Sequence, residues 1–170
     1  MIKVGVIGLG MMGSTHLDVY EGLDDAQIVA LSDIDPDRLS GQYLAKGNID
    51  GMAQGGFDIV NASVKRYDEG KKLIRDKEID LVDICLPTPM HVEFGRGALK
   101  AGKHVMIEKP VARSTRQARS LYSTIEKHPD QVAMVGMCIR FWPGWDWLKQ
   151  AIDEKRYGKV LSASFQRLSN

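Results

Sequence analysis

The sequence predicts an α/β fold built on a doubly wound parallel sheet, followed by the truncated start of a second, α+β domain. Short apolar runs rich in Val and Ile alternate along the chain with helical stretches. Strands that alternate with helices in this way form parallel sheets covered by helices on both faces. The strand-like runs are almost continuously apolar, which is typical of strands buried on both sides.

The first half of the chain holds two strands and two helices in this prediction. Residues 2–7 (IKVGVI) form a buried strand because they are short, apolar and rich in β-branched side chains. Asp35 is expected to cap the second helix, and Pro36 suits the first helical position. Residues 49–62 lack a clear period, so we expect a loop there. The predicted elements are a strand at 2–7, a helix at 14–23, a strand at 28–31 and a helix from 36 to about 47.

The second half continues the same alternation. Asp68 is predicted to cap the third helix, Gly102 to close the fourth, and Ser114 with Gln117 to form a capping box for the fifth. The predicted strands are 64–67, 81–86, 104–107, 132–136 and 160–168, and the helices are 68–77, 92–100, 114–127 and 145–155. We therefore place a first domain at residues 1–142. Residues 143–170 are expected to form the linking helix and first strand of an incomplete second domain.

Composition and charge exclude several classes of protein. The 170 residues are 44% hydrophobic, and 23 basic residues balance 22 acidic ones to a net charge of +1. This balance argues against a nucleic-acid or acidic-membrane partner, because both bind proteins with a basic excess. A membrane span needs about 20 consecutive apolar residues, and the chain has no such run. We expect a cytoplasmic protein.

A glycine-rich turn follows the first predicted strand. Gly8, Gly10 and Gly13 form the pattern G-x-G-x-x-G, with Met11 and Met12 at the intervening positions. The first glycine permits a tight turn, the second lets a pyrophosphate approach the backbone, and the third allows close packing of the next helix. The amino terminus of that helix offers unpaired N–H groups to phosphate oxygens. The turn therefore predicts a dinucleotide site in a Rossmann-type sheet.

An acidic residue stands at the end of the second predicted strand. Asp33 lies 20 residues after Gly13, where its carboxylate can accept hydrogen bonds from the ribose hydroxyls of an adenosine. A 2′-phosphate at ~4 Å would be repelled by ~4 kcal/mol at an effective dielectric of ~20. Arg38 could counter that repulsion, but the sign favours NAD over NADP. The alternative is that Asp33 only caps or solvates a loop.

The fourth predicted strand ends in a proline-rich segment. The predicted strand ends at Leu86. Pro87, Thr88 and Pro89 come next, and His91 lies two residues after Pro89. The prolines are expected to form a rigid extended wall, because each fixes its backbone and removes a donor. Thr88 can bond a cofactor ribose or phosphate. Ligands of parallel sheets bind beyond the carboxyl ends of the strands, so we assign this segment to the cofactor site.

The fifth predicted strand ends in Glu108-Lys109-Pro110 at the same edge of the sheet. A proline disfavours helix at the preceding residue, so Lys109 is expected to be extended. A lysine near a positively charged nicotinamide could have a lowered pKa and could orient a substrate hydroxyl or relay its proton. The alternative is an ordinary surface lysine. His16 is expected to pack or cap, because no Cys, His or Glu stands at metal-ligand spacing beside it, and no metal site is predicted.

Taken together, these motifs resemble the Gfo/Idh/MocA family of glucose–fructose oxidoreductases, inositol dehydrogenases and rhizopine catabolism proteins. The resemblance covers essentially all 170 residues, including residues 136–141 (GMCIRF). It implies a nicotinamide-dependent oxidoreductase that acts on a sugar, a polyol or a related hydroxy compound. It assigns the cofactor to Gly8, Gly10, Gly13, Asp33, Thr88, Pro89 and His91.

The resemblance also implies more specific roles. Lys109 matches the family's lysine at the reacting carbon, Glu108 and Pro110 shape its loop, and the Lys109–Pro110 bond is expected to be cis. Arg140 and Trp142 could border the nicotinamide or the substrate, or pack between domains. Family members carry a second domain with a D-x-x-x-H pattern, which has no match here.

We therefore expect the cofactor half of a longer, homo-oligomeric dehydrogenase. The alternative is a short protein that binds NAD without turnover, as a sensor or an interaction module.

Overall fold

A computed structural model describes residues 1–42 and 57–166. Over these residues the strands are β1 (Ile2–Ile7), β2 (Ala26–Ser32), β3 (Lys65–Tyr67), β4 (Leu81–Ile84), β5 (His104–Ile107) and β6 (Ala133–Val135). The helices are α1 (Met11–Glu21), α2 (Pro36–Ser40), α3 (Gly70–Ile74), α4 (Thr88–Lys100), α5 (Thr115–Ile125) and α6 (Pro143–Asp153). None of the helices in this part of the chain is long and apolar enough to cross a membrane.

Two predicted segments fall outside the described residues. These are the end of the second helix with most of the loop at 49–62, and the last residues of the final strand. The other predicted strands and helices, apart from the final strand, are present. The strands at 2–7 and 104–107 have the predicted ends, and the remaining elements have shifted ends.

The six strands form one parallel sheet in the order β3-β2-β1-β4-β5-β6. The chain runs outward from β1 to β3 and then returns to β4 on the other side of β1. This reversal confirms the predicted doubly wound sheet. Ligands of such sheets bind beyond the carboxyl ends of the strands where the order reverses, which here is between β1 and β4.

Apolar side chains fill the sheet's two faces separately. Val4 and Val6 of β1 belong to one buried cluster, together with Leu17 of α1. Ile7 of the same strand belongs to a second cluster that includes Leu99 of α4. Adjacent strand residues point to opposite faces, so β1 contributes to both clusters. Each fully buried side chain of this kind contributes ~1.5–3 kcal/mol, which fixes the register that positions the loops at the sheet edge.

Three helices begin earlier than predicted, α6 by two residues, and the differences at α1 and α4 affect the site. Helix α1 starts at Met11, directly after an extended Gly10, so the glycine turn runs straight into the helix. Helix α4 starts at Thr88 rather than at residue 92. The predicted extended wall is therefore wrong for Thr88 and Pro89, which occupy the first turn of α4. A proline is tolerated there because the first helical N–H groups lack partners within the helix.

The helix ends agree with the sequence at three places and differ at one. Gly102, with φ of +77°, follows the end of α4 as predicted. Asp35 accepts a hydrogen bond from the Asp37 amide at 3.0 Å, as predicted for α2. Ser114 accepts from the Gln117 amide at 3.4 Å, as predicted for α5. Asp68 does not cap α3: its carboxylate pairs with Lys72 at 2.8 Å, and Glu69 precedes the helix without a side-chain cap.

The chain divides into two compact units, Met1–Gly136 and Met137–Asn170. The predicted domain boundary after Trp142 stays a prediction. Within the second unit, α6 precedes a segment in which residues 160–166 form no strand, contrary to the prediction. A strand needs a neighbour to accept and donate its backbone hydrogen bonds, and no strand of the described residues pairs with this segment. The rings of Trp145 and Phe165 pack at 5.2 Å instead.

Candidate functional site

The glycine turn is packed so closely that side chains are excluded at two of its three glycines. Gly8 has φ of +93°, and a Cβ there would lie 2.5 Å from the Cys85 carbonyl oxygen. A Cβ on Gly13 would lie 1.8 Å from the Gly8 carbonyl oxygen. A Cβ on Gly10, in contrast, would have Arg38 Nη1 at 3.7 Å as its nearest neighbour. The structure therefore leaves space above Gly10, where a ligand can approach the backbone.

The amino terminus of α1 has the features of an anion site. No side chain caps this helix, and its first turn carries no acidic residue. Met11 and Met12 are half-buried in that turn. The first N–H groups of a helix have no partner within it, and they carry a partial positive charge. Together with the space above Gly10, this arrangement fits the pyrophosphate of a dinucleotide.

Asp33 holds the glycine turn as well as ending β2. Its Oδ2 accepts a hydrogen bond from the Leu9 amide at 2.7 Å, and its Oδ1 accepts one from the Asp35 amide at 2.9 Å. The side chain is half-buried. A carboxylate has about four acceptor sites, so two bonds leave capacity for ribose hydroxyls. From the sequence, loop capping and ribose binding are alternatives for Asp33, whereas this geometry permits both.

Arg38 lies beside the turn from the first part of α2. Its Nε is 3.4 Å from Asp35 Oδ2, and its Nη1 is the nearest side-chain atom to the space above Gly10. From this position the Arg38 guanidinium can face a phosphate group bound above Gly10. The structure thus brings Asp33 and Arg38 to the same side of the glycine turn.

The ends of β4 and β5 lie next to the turn. The Cys85 amide donates to the Ile7 carbonyl at 2.9 Å, and the Glu108 amide donates to the Ile84 carbonyl at 3.1 Å. Leu86 and Thr88 are half-buried, and Pro87 and Pro89 are exposed. The loops after β1, β4 and β5 therefore share one edge of the sheet, as the sequence predicted.

His91 does not line the surface of this edge. It is 1% exposed, with Nδ1 at 2.8 Å from the Pro110 carbonyl oxygen and Nε2 at 2.6 Å from the Leu86 carbonyl oxygen. Through these two contacts, His91 joins the loop after β4 to the loop after β5. Its assignment to the cofactor stays a prediction.

The segment Glu108-Lys109-Pro110 forms a tight loop after β5. The Lys109–Pro110 peptide bond is cis, as the resemblance implied. Glu108 is buried, and its Oε2 accepts a hydrogen bond from the Lys109 amide at 3.1 Å. Lys109 and Pro110 are exposed, and no carboxylate among residues 1–42 and 57–166 pairs with the Lys109 ammonium. The loop presents Lys109 to solvent at the carboxyl edge.

A charged cluster beneath the edge was missed by the sequence analysis. His16 Nδ1 lies 2.8 Å from Asp83 Oδ2, and His16 Nε2 lies 3.4 Å from Glu108 Oε1. Burial lowers the pKa of His16, but the hydrogen bond and charge of Asp83, with those of Glu108, outweigh burial and raise it. Asp83 is the sequence signal that could have predicted this cluster. It lies inside the apolar run 81–86 of a central strand, and a buried carboxylate needs a charged or hydrogen-bonding partner.

Cys85 joins this cluster at 3.4 Å from His16 Nδ1. Burial, and then the charges of Asp83 and Glu108, raise the pKa of its thiol well above the ordinary value. No Cys or Glu stands at metal-ligand spacing beside His16 in the sequence, but the fold brings Cys85 and Glu108 to it from the ends of β4 and β5. His16, Asp83 and Cys85 place one potential ligand atom each within 4.8 Å of one another.

The geometry of these three residues is that of hydrogen bonds. The 2.8 Å between His16 Nδ1 and Asp83 Oδ2 is shorter than the ~3.3 Å that separates two ligands in tetrahedral zinc sites. The absence of a metal site stays a prediction. Arg140 is exposed in the 3₁₀ turn Cys138–Phe141 of the second unit, and its assignment to the cofactor also stays a prediction.

Comparison with known proteins identifies relatives of the chain. It is 28% identical over 161 residues to the inositol 2-dehydrogenase of Salmonella typhimurium, covering 94% of this chain and 44% of the relative. It is 32% identical over 142 residues to glycosyl hydrolase family 109 protein 1 of Bacteroides fragilis, covering 82% of this chain and 29% of that protein. The chain thus spans less than half the length of these relatives.

A solved structure shares the fold. The scyllo-inositol dehydrogenase of Lactobacillus casei with bound NAD(H) and scyllo-inositol superposes with a TM-score of 0.77 at 24% identity, over 93% of this chain and 42% of that one. Residues 2–137 match the sequence profile of the Gfo/Idh/MocA group, described as an oxidoreductase family with an NAD-binding Rossmann fold. The resemblance drawn from the motifs is therefore confirmed, and the chain belongs to the Gfo/Idh/MocA oxidoreductase family.

Proposed function

We propose that this chain is the NAD-binding part of a dehydrogenase that transfers hydride between nicotinamide and a sugar, a polyol such as an inositol, or a related hydroxy compound. The observation that carries the proposal is the convergence of three loops at one sheet edge. The glycine turn, Asp33 and the exposed Lys109 all lie there, in a chain of an NAD-binding oxidoreductase family.

Each part of the edge has a chemical task in this proposal. The amides at the start of α1 bind the pyrophosphate, helped by Arg38, and Asp33 accepts hydrogen bonds from the adenosine ribose. The bound cofactor supplies the hydride acceptor or donor. Lys109 orients the substrate hydroxyl through its ammonium protons and holds or passes on the proton that the hydroxyl loses. His91 and Glu108 keep the loop of Lys109 in place from below.

NAD is the proposed cofactor in preference to NADP. The Asp33 carboxylate is fixed by two backbone amides, so it cannot rotate away from an incoming 2′-phosphate without losing both bonds. A phosphate charge ~4 Å from the Asp33 carboxylate costs ~4 kcal/mol at an effective dielectric of ~20.

The proposal also covers the substrate, the cellular location, the oligomeric state and the partners of the protein. A small polyhydroxy substrate is supported by the inositol dehydrogenases among the relatives. We propose a cytoplasmic, homo-oligomeric protein in its full-length form. The near-neutral charge of +1 supports the absence of nucleic-acid and membrane partners.

Calorimetric titration of the 170-residue chain with NADH and NADPH tests the cofactor assignment. We expect NADH to bind more tightly, and equal affinities would contradict the role given to Asp33. The complete protein is then supplied with NAD and a panel of inositols, sugars and polyols while NADH absorbance is followed. Turnover of any panel member supports the dehydrogenase. NADH binding without turnover of any of them would favour the sensor or interaction module.

A further inference from the structure

The side chains beneath the sheet edge link the start of α1 to the loop of Lys109. We define the His16 cluster as His16, Tyr20, Asp83, Cys85 and Glu108. The imidazole bridges two carboxylates, with Nδ1 at 2.8 Å from Asp83 and Nε2 at 3.4 Å from Glu108. Asp83 is fully buried and Glu108 is 6% exposed, so neither carboxylate can be solvated by moving outward. Buried carboxylates of this kind need a charged or hydrogen-bonding partner, and His16 serves both.

We propose that His16 is a positioning residue for Lys109: by bridging Asp83 and Glu108, it holds the Glu108 carboxylate where that group fixes the Lys109 backbone. The connection to catalysis rests on the function proposed for Lys109 above. The contacts themselves do not depend on it.

The path from His16 to Lys109 runs through two short contacts. Glu108 uses one oxygen, Oε1, toward His16 and the other, Oε2, to accept from the Lys109 amide at 3.1 Å. Gly136 leaves room for this carboxylate, because a Cβ there would lie 2.8 Å from Glu108 Oε1. Movement of His16 would release the only side chain among the described residues that pairs with Glu108.

The two contacts of the imidazole respond differently to its charge. A protonated imidazole donates from both nitrogens, whereas a neutral one donates from a single nitrogen. The neutral ring is expected to keep its donor on the short bond to Asp83 and to lose the longer one to Glu108. Loss of the His16 proton therefore loosens the loop of Lys109 while the anchor on Asp83 remains.

The other titratable groups that face His16 among the described residues are uncharged at neutral pH. Burial, and then the charge of Asp83, raise the pKa of the Tyr20 hydroxyl above its ordinary value. Burial, and then the same carboxylates, raise the pKa of the Cys85 thiol. Against two carboxylates, His16 is therefore the cluster's single cation, and its pKa is raised accordingly.

The Lys109 amide provides a direct test in the 170-residue chain. Its hydrogen exchange and chemical shift are measured by NMR across the titration of the His16 ring. We expect both the chemical shift and the protection factor, which is the intrinsic exchange rate at each pH divided by the observed one, to follow the ring, with lower protection once His16 is neutral. A Lys109 amide whose protection factor and chemical shift do not change as His16 titrates would overturn the proposal. This measurement is made on the wild-type chain.

Three variants separate positioning from general stability. His16→Asn places a carboxamide near Nδ1 and keeps the partner of Asp83, while His16→Gln reaches as far as Nε2 and keeps the partner of Glu108. We expect exchange at Lys109 to be about tenfold faster in His16→Asn, the loss of roughly one charged hydrogen bond. His16→Gln should restore most of the protection. Tyr20→Phe is the matched control, because it alters the same cluster without touching the bridge to Glu108.

The outcomes distinguish this proposal from the proposed function. Equal exchange at Lys109 in His16→Asn and His16→Gln, or equal acceleration of amides throughout the chain, would contradict the bridge. NADH titration of the same samples tests the cofactor assignment independently. A chain that shows the coupling but binds no NADH would refute the proposed function and leave the positioning of Lys109 intact.

Discussion

The glycine turn and the loop of Lys109 lie at the same edge of the sheet but are held in different ways. The turn is shaped by backbone atoms in close contact, such as the Gly8 carbonyl against Gly13, and by one carboxylate at the end of the next strand. The loop of Lys109 is held from below by His16 and His91, which come from two helices distant in sequence. Close backbone packing therefore dominates the first region, and polar side-chain contacts from the two helices dominate the second.

Gly13→Ala is expected to have the largest effect, because it breaks the turn itself. The new Cβ would lie 1.8 Å from the Gly8 carbonyl oxygen, so helix and turn must move apart. We expect a loss of about 3 kcal/mol or more in the free energy of unfolding, together with loss of NADH binding. Denaturant unfolding monitored by circular dichroism measures the first quantity, and calorimetry measures the second.

Gly10→Ala is the matched control for that substitution. Its Cβ would meet no atom nearer than 3.7 Å, so the fold should keep nearly all of its stability. It fills the space proposed for the pyrophosphate, however, and should weaken NADH binding on its own. Unimpaired NADH binding by Gly10→Ala would place the cofactor elsewhere.

Lys109→Met tests the second region through catalysis. The substitution keeps the aliphatic stem and removes the ammonium, so turnover by the complete enzyme should fall by about 10²–10⁴, the range for a lost acid–base group. NADH affinity should change much less, because the adenosine and pyrophosphate sites remain. Lys71→Met, at an exposed lysine paired with Glu93, controls for loss of a surface charge. Comparable turnover in both variants would remove Lys109 from the reaction.

The sequence predicted the first region better than the second, for a physical reason. The spacing of Gly8, Gly10 and Gly13 is local and encodes the turn directly. The start of α4 was misplaced because Thr88 and Pro89 suit either an extended segment or a first helical turn, and only packing decides between them. The contacts of His16 were missed because they depend on which strands are neighbours.

Asp33→Asn sharpens the comparison within the first region. The carboxamide oxygen can still accept from one of the two backbone amides, so we expect a stability loss of only ~1 kcal/mol. Removing the charge should raise the affinity for NADPH relative to NADH by about tenfold or more. Asp37→Asn removes an exposed charge in the first turn of α2 and should leave the ratio unchanged. If the ratio of NADPH to NADH affinity changed equally in Asp33→Asn and Asp37→Asn, the preference would come from the overall negative charge of this region and not from contact between Asp33 and the ribose.

The smallest expected effect is a pH dependence of stability that belongs to the second region alone. The pKa of His16 is raised in the folded chain, so its protonated form is stabilised by folding. That contribution is fully present below the ordinary histidine pKa of about 6.5 and is lost as the pH rises through the raised, folded-state value. The free energy of unfolding of the wild type should therefore exceed that of His16→Asn most at low pH, and the difference should shrink as the pH rises through the raised pKa of folded His16. The free energy of unfolding of Tyr20→Phe should differ from that of the wild type by the same amount across the pH range in which His16 titrates. Burial raises the pKa of Tyr20, so the tyrosine stays protonated throughout that range. A difference between wild type and His16→Asn that grew with pH would mean that the folded chain prefers the neutral imidazole, and the bridge between the two carboxylates would have to be abandoned.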